Sequence, residues 1–294
     1  MSYTLNNIDL NTYGIYPGHS KGSNIAMSGI FDLPVRTGKC YYSWGDENSI
    51  EPYTAAGDLF FSGRDIVFTG FILGTTQVLN NNLQTLYTAI NAATGISILN
   101  TPYYSASGYI KSVIPEYMNG ASSLIMTFRE PVVNLAGTLP ASGLNNYTID
   151  SIPFSSFGLY LSKAEALHDL PELKEQNFTK YGLEGYQIVK RQNKILDFSG
   201  FITGNSLVDF QNNISALYKL FSSPGTRNIK INDEINVDCF ATEGFRVDNI
   251  YLYNNLMIAD FNISLIAVNV NSLNYLLTAN SEYVLTANSE YILI

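Results

Sequence analysis

The sequence predicts a β-rich α+β protein made of two tandem copies of one domain, followed by a short C-terminal β repeat. Three observations predict it: a composition suited to strands, an internal duplication, and one helix-period segment at the same place in each copy. Twenty-one Tyr and sixteen Phe stand against a single Trp, and aromatic side chains pack well on a pleated face. Hydrophobic residues at 46% and charged residues at 14% place the chain among ordered globular proteins. A length of 294 residues suits two domains of ordinary size.

The duplication is read directly from matched segments. Thr12-Tyr13-Gly14-Ile15-Tyr16 opens the first copy, and Ser156-Phe157-Gly158-Leu159-Tyr160 opens the second. Phe31-Asp32-Leu33-Pro34 is answered by His168-Asp169-Leu170-Pro171. The strongest echo sets Phe68-Thr69-Gly70-Phe71-Ile72-Leu73-Gly74 against Phe198-Ser199-Gly200-Phe201-Ile202-Thr203-Gly204. The separation is 144 residues at Gly14/Gly158, 137 at Pro34/Pro171 and 130 at Gly70/Gly200. The first copy therefore carries two insertions of seven residues, which are expected in loops.

Each element follows from local pattern. In Phe68 to Ile72 the two-residue period puts Phe68, Gly70 and Ile72 on one face and Thr69 and Phe71 on the other. Gly70 and Gly200 leave gaps there, as glycine does at a bulge or where another backbone comes close. Gly74 and Gly204 end these strands. Leu79, Leu83, Leu86, Tyr87 and Ile90 then keep helical spacing, as do Leu207, Phe210, Ile214, Leu217, Tyr218 and Phe221. Asn82-Leu83 with Leu86-Tyr87 matches Asn213-Ile214 with Leu217-Tyr218.

Ser206, with Asp209 three residues on, reads as a helix N-cap box, and Gly95 and Pro224-Gly225 stop the helices. Strand-like runs follow: 96–99, 103–113 and 123–128 in the first copy, 228–237, 245–253 and 258–268 in the second. Each helix must lie on its sheet, since a lone amphipathic helix of this length is marginal in water.

The boundaries expected are 1–134 for the first copy, 135–148 for a small, uncharged Gly/Pro-containing linker, and 149–270 for the second copy. Residues 271–294 carry two Tyr-x-Leu-Thr-Ala-Asn-Ser-Glu units starting at Tyr275 and Tyr283, followed by Tyr291-Ile-Leu-Ile294 in the same register. Three such short strands want a neighbouring surface, either a partner protein docked through those tyrosines or the chain's own second copy.

Charge bounds the partners. The net charge is −9, with six basic against nine acidic residues before Thr148 and ten against sixteen from it onward. No cluster of Lys and Arg offers the phosphate neutralisation on which nucleic-acid affinity depends, and Lys190-Arg191 with Lys194 read as a solvated strand edge. The N-terminal residues lack a basic region followed by an apolar run, and no stretch has the length of a membrane-spanning helix, so synthesis in the cytoplasm without membrane partners is expected. Cys40 and Cys239 are expected to be reduced, buried thiols.

Strands, one helix across them and more strands, all duplicated, resemble the tail-tube fold shared by phage tail tubes, distal tail proteins and baseplate hubs. The resemblance covers roughly residues 8 to 134 and 149 to 270, and it rests on element order and the repeat positions Gly14, Pro34, Phe68, Gly70, Gly74, Gly158, Pro171, Phe198, Gly200 and Gly204. It implies tail-tube-like β-sandwich or barrel domains, closing into a ring around a DNA channel, usually six domains to a ring. Two domains per chain then imply a trimer with pseudo-sixfold symmetry or a hexamer, in the virion, bound to other tail proteins and without cofactor. DNA would be only a non-sticking lumen contact. Distal tail proteins often carry a second domain of a carbohydrate-binding-like fold, whereas here the second half repeats the first, which favours a hub or adaptor.

Two other classes compete with this one. A carbohydrate-binding tail module would use Tyr41-Tyr42 and Trp44 to stack on sugars, although packing in a core accounts for them as well. A serine hydrolase would use Ser20, since Gly18-His19-Ser20-Lys21-Gly22 fits the nucleophile-elbow pattern, but that chemistry needs a strand before the serine and a helix after it. Pro17 and Gly22-Ser23-Asn24 predict a loop instead. Two His and two Cys have no metal-ligand spacing. The adjacent carboxylates Asp46-Glu47 and Asp233-Glu234 suit solvated turns better than a paired acid site. Neither catalytic nor metal-binding residues are assigned.

Overall fold

The computed structural model describes residues 2–44, 50–118, 120–167, 169–180, 183–232 and 235–268. His168, Asp46-Glu47, Asp233-Glu234 and the 271–294 repeat with Tyr275, Tyr283 and Tyr291 lie outside the described residues.

The N-terminal half supplies β1 (Thr4–Leu5), β2 (Ile8–Asp9), β3 (Ile15–Pro17), β4 (Met27–Ser28), β5 (Tyr41–Ser43), β6 (Ile50–Pro52), β7 (Arg64–Leu73), α1 (Thr76–Ala92), β8 (Ser97–Asn100), β9 (Ser105–Met118) and β10 (Ala121–Glu130). The C-terminal half supplies β11 (Tyr147–Ile149), β12 (Ile152–Pro153), β13 (Leu159–Glu165), β14 (Leu173–Lys180), β15 (Leu183–Arg191), β16 (Ile195–Gly204), α2 (Leu207–Ser222), β17 (Arg227–Ile231), β18 (Ile235–Tyr253) and β19 (Leu256–Ala267). The protein is thus β-rich α+β with two long helices.

One sheet runs β2-β1-β8-β9-β10-β7-β3, with β4 also paired to β7, and the other runs β12-β11-β17-β18-β19-β16-β13. Replacing each strand of the first path by the strand at the same chain position in the other half gives the second path. β5 and β6 form a separate antiparallel hairpin, as do β14 and β15. Among the described residues all strand pairings are antiparallel, and the alternation of buried and exposed residues along β7 and β19 shows one face of each sheet turned inward. α1 packs on β7 and β10, and α2 on β16, β18 and β19. Buried side chains of both sheets and both helices join in one cluster, from Phe68 and Phe128 to Phe157, Phe210 and Phe261.

Two strand readings need correction. The run 228–237 is not one strand: it turns at Asn232, which takes a φ of 52°, so that β17 folds back on β18. The run 245–253 is the far part of that same β18, which spans 19 residues because two bulges let it bend without breaking. β11 also takes in Tyr147 and Thr148, the last residues of the stretch read as linker.

Candidate functional site

In each half a one-turn 3-10 helix, Leu10–Tyr13 or Phe154–Phe157, ends on a glycine in the left-handed region: Gly14 at φ 68° and Gly158 at φ 65°. Each glycine then faces the matched asparagine of its half's helix, Asn82 or Asn213, so closely that a Cβ would overlap the amide. Asn213 donates to the Thr203 carbonyl at 2.9 Å. Glycine is needed twice over here, for φ and for space.

Gly70 sits opposite Pro17 and Gly200 opposite Leu161. A Cβ on Gly70 would come within 2.8 Å of the Tyr16 carbonyl oxygen, and one on Gly200 would overlap the Tyr160 carbonyl oxygen. Beside each glycine the same ring pair stacks on the outer face: Tyr16 on Phe71 at 5.8 Å and Tyr160 on Phe201 at 5.3 Å. Phe68 and Phe198 are buried. Gly74 follows β7 at φ 138°, against Val78, and Gly204 closes β16 against the Phe210 backbone. Pro34 is buried and Pro171 half-buried.

The two halves meet along a seam that the sequence did not announce. Past Cys239, β18 has no further pairing with β17, and its bulges at 241–245 and 248–251 leave backbone groups free of β19. The N-terminal half fills that edge. Leu33 N–H donates to Phe245 O at 3.0 Å, Arg36 N–H to Thr242 O at 2.9 Å and Asn24 N–H to Ile250 O at 3.0 Å. The Asn24 side-chain amide both accepts from Leu252 N–H and donates to Leu252 O, each at 2.8 Å, completing the edge as a strand would. Gly244, at φ 73°, lies where a Cβ would overlap the Leu33 carbonyl.

At the centre of the seam Arg64 is buried at 4% exposure. Its Nε donates to Glu130 Oε2 at 2.7 Å, and its Nη1 donates to the Tyr218 hydroxyl at 2.6 Å and to the Asp32 carbonyl at 2.9 Å. Tyr104 donates its hydroxyl to Glu130 Oε1 at 2.8 Å. The charge is therefore paired and hydrogen-bonded, as a buried charge must be. Burial pushes the Tyr104 hydroxyl up to about 12 and that of Tyr218 well above its ordinary value. Asp32 Oδ1 accepts from Val247 N–H at 2.8 Å, and burial lifts its carboxyl to about 6.

An open cleft of about 720 Å³ lies beside this cluster, its walls including Arg64, Arg129 and Arg246 as well as Asp32, Asp65 and Asp248. Its charges are of both signs: Arg129 pairs with Asp65 at 2.9 Å and Arg64 with Glu130, while Nη2 of Arg64 is buried without a hydrogen-bond partner.

Two stretches of the N-terminal half, each seven residues longer than its C-terminal counterpart, also touch the C-terminal half. One is the 15–33 segment that lines β18; the other, 35–69, includes the β5–β6 hairpin, which is itself shorter than β14–β15. From that hairpin Tyr41 meets Phe240 edge-on at 5.8 Å and accepts from Asn193 Nδ2 at 3.1 Å, and Ile50 N–H donates to Val268 O at 3.2 Å. Tyr42 and Trp44 are corrected from core to surface: they are 38% and 45% exposed and lie edge-to-face at 4.7 Å, because a two-stranded hairpin off the main sheet has no second layer over its outer side.

Gly18 to Gly22 also belongs to the seam. Ser20 lies in a turn, its N–H donating to Ile25 O at 2.8 Å, with no helix after it, and a Cβ on Gly22, at φ 75°, would overlap the Asn249 amide. Of the two glycines of the G-x-S-x-G match, Gly18 donates its N–H to Thr69 O at 3.0 Å and has room for a Cβ, while Gly22 is required by its φ and by the Asn249 side chain. Cys239 is buried, its thiol pushed far up by burial, while Cys40 is only half-buried, and both are free. Among the described residues no group of three or more His, Cys, Asp or Glu is placed to hold a metal, and no helix is long and apolar enough to cross a membrane.

Sequence reasoning missed Arg64, Glu130, Tyr104 and Gly244. For Asp32 and Tyr218 a signal existed, since both stand inside matched segments, but the match gave no partner. No protein-family model and no curated protein sequence matches the chain. Among solved structures the chain is similar to the Dit protein of SPP1, described as a paradigm of the hub adsorption apparatus in phages that infect Gram-positive hosts. The likeness covers 90% of this chain and 98% of that one, at a TM-score of 0.35 and 14% identity.

Proposed function

We propose that the chain is a structural protein of a phage tail, a tandem duplication whose copies assemble as units of a ring, serving as hub, adaptor or distal tail component around the DNA channel. The seam carries this reading. Two halves with the same strand order meet through different faces, the Leu33/Arg64 face of one and the α2/β18 edge of the other. A heterologous contact between like units, when repeated, closes into a ring or runs on as a filament. A chain holding one such contact inside itself contributes two units, so six units per turn make a trimer with pseudo-sixfold symmetry, and twelve make a hexamer.

The resemblance in element order to tail-tube proteins supports the same reading, and the net charge of −9 suits a lumen along which DNA slides without adhering. The protein would be made in the host cytoplasm and built into the virion beside other tail proteins. Negative-stain microscopy and mass photometry of the full chain test the reading. Closed rings of three or six chains are expected. A chain that remains monomeric at high micromolar concentration, alone and with its neighbouring tail proteins, would falsify it.

A further inference from the structure

We infer that the chain carries a second, unfilled version of its own seam, and that the partner it takes is another copy of the chain, joined head to tail: the Asp169/Leu170/Lys194 face of one copy receives the α1 and β9 edge of the next. The inference rests on the ring reading above and assigns it an interface.

The argument transfers the filled seam through the repeat. On its receiving side the seam uses Asp32, Leu33 and Arg64. At the separations that align the halves these become Asp169, Leu170 and Lys194, so that an acid, a leucine and a cation recur in the same order. On its inserting side the seam uses Gln211 and Tyr218, one face of α2 seven residues apart, and the bulged edge at Phe245. Gln211 Nε2 donates to Tyr103 O at 2.6 Å and Tyr218 binds Arg64. The corresponding positions on α1 are Asn80 and Tyr87, again seven apart, and the strand position that corresponds to Phe245 is Val113 on β9, opposite Met126 as Phe245 is opposite Ile263.

Burial separates the used face from the unused one. Leu33 is 3% exposed, whereas Leu170 is 64% exposed. Tyr218 is buried, whereas Tyr87 is only partly so. Lys194 is nonetheless 6% exposed, with its ammonium donating to Leu167 O at 2.6 Å. An ammonium has three donors, and the Tyr87 hydroxyl would take one as the Tyr218 hydroxyl takes one from Arg64.

Backbone pairing tells the same story. β9 pairs with β8 only through Gly108, as β18 pairs with β17 only through Cys239. Its edge from Tyr109 onward faces no described strand on that side, and an open edge is a template for another chain. β9 even carries its bulge at the matching register, around Lys111. The two seams are related and not identical. Ala267 lies where Glu130 lies in the first half, and Pro115 has no N–H to offer Asp169 where Val247 serves Asp32. The intermolecular seam therefore has fewer polar bonds than the internal one and opens first.

The test uses the two faces separately. Leu170→Asp spoils only the receiving face and Tyr87→Asp only the inserting face, with Asn80→Trp as a second inserting-face variant at an exposed position should Tyr87→Asp fail to fold. Thermal unfolding identifies any variant that has lost its fold. In mass photometry the wild type is expected as closed oligomers, each single variant as monomer, and an equimolar mixture of the two variants as dimer with nothing larger, since one intact face remains on each. Oligomers that survive both single variants would overturn this inference and leave the ring reading standing. A wild type that stays monomeric at high micromolar concentration, alone and with its neighbouring tail proteins, would overturn both.

Discussion

At the scale of single residues the paired glycines do different work despite equal places in the repeat. Gly70 is crowded partly by the ring of Phe68, at 2.7 Å from a built Cβ, and partly by the Tyr16 carbonyl. Gly200 is crowded by backbone alone, the Tyr160 carbonyl and Leu161 Cα, beside a bulge between Leu161 and Lys163. The approaches at Gly70, 2.7 and 2.8 Å, are shallower than the 2.1 Å approach of the Tyr160 carbonyl at Gly200. Gly200→Ala is therefore expected to cost about 3 kcal/mol, the upper range for overpacking, and Gly70→Ala clearly less, as read from urea midpoints at equal slope. Equal losses would refute the distinction. These glycines were legible because the demand for missing volume is local and leaves the same letter in both copies. Arg64 was illegible: its acid lies 66 residues away and its tyrosine 154, and nothing in the letters joins them before the fold does.

At the scale of elements the helices differ at their starts. Ser206 caps α2, its Oγ accepting from Asp209 N–H at 3.1 Å, while Asp209 accepts from Asn205 N–H at 2.9 Å, one residue earlier than the usual box. Thr75 precedes α1 without a side-chain cap bond. Ser206→Ala should lower stability by about 1 kcal/mol and Thr75→Ala by much less. Urea unfolding of both variants checks this, and a Thr75→Ala loss as large as that of Ser206→Ala would contradict it. The caps, helices and glycine-ended strands could be read from sequence because period and punctuation are local signals. The β17–β18 turn was passed over inside the run 228–237, although Asp233-Glu234 suited a solvated turn, because Ile229, Ile231, Ile235 and Val237 keep their alternation on both sides of Asn232. The extra length was located only to the intervals between Gly14 and Pro34 and between Pro34 and Gly70, and the contacts that the 15–33 segment makes depend on the edge it finds on β18, which only the assembled sheet creates.

At the scale of the whole molecule one buried cluster spans both halves, so the seam is part of the core and its ionisation is a property of the fold. Asp32 is held there with its pKa lifted from 3.8 to about 6, first by burial and then by Asp248, against the Val247 N–H and the charges of Arg64 and Arg246. A carboxyl whose pKa rises on folding binds its proton more tightly in the folded chain than in the unfolded one. Its contribution is fully present below about pH 4 and is lost as pH climbs through 6, where the fold must keep a buried carboxylate. A rise of that size corresponds to about 3 kcal/mol. Asp32→Asn keeps an oxygen for Val247 N–H and removes the charge, so other titrations cancel between the two proteins. Wild type and variant should match in stability below about pH 4 and separate above pH 6, the variant becoming more stable by up to about 3 kcal/mol at pH 8. Chemical denaturation across that range decides it, and a variant less stable than wild type at pH 8 would mean that the charge at Asp32 holds the seam together through Arg64 and Arg246 instead of loosening it.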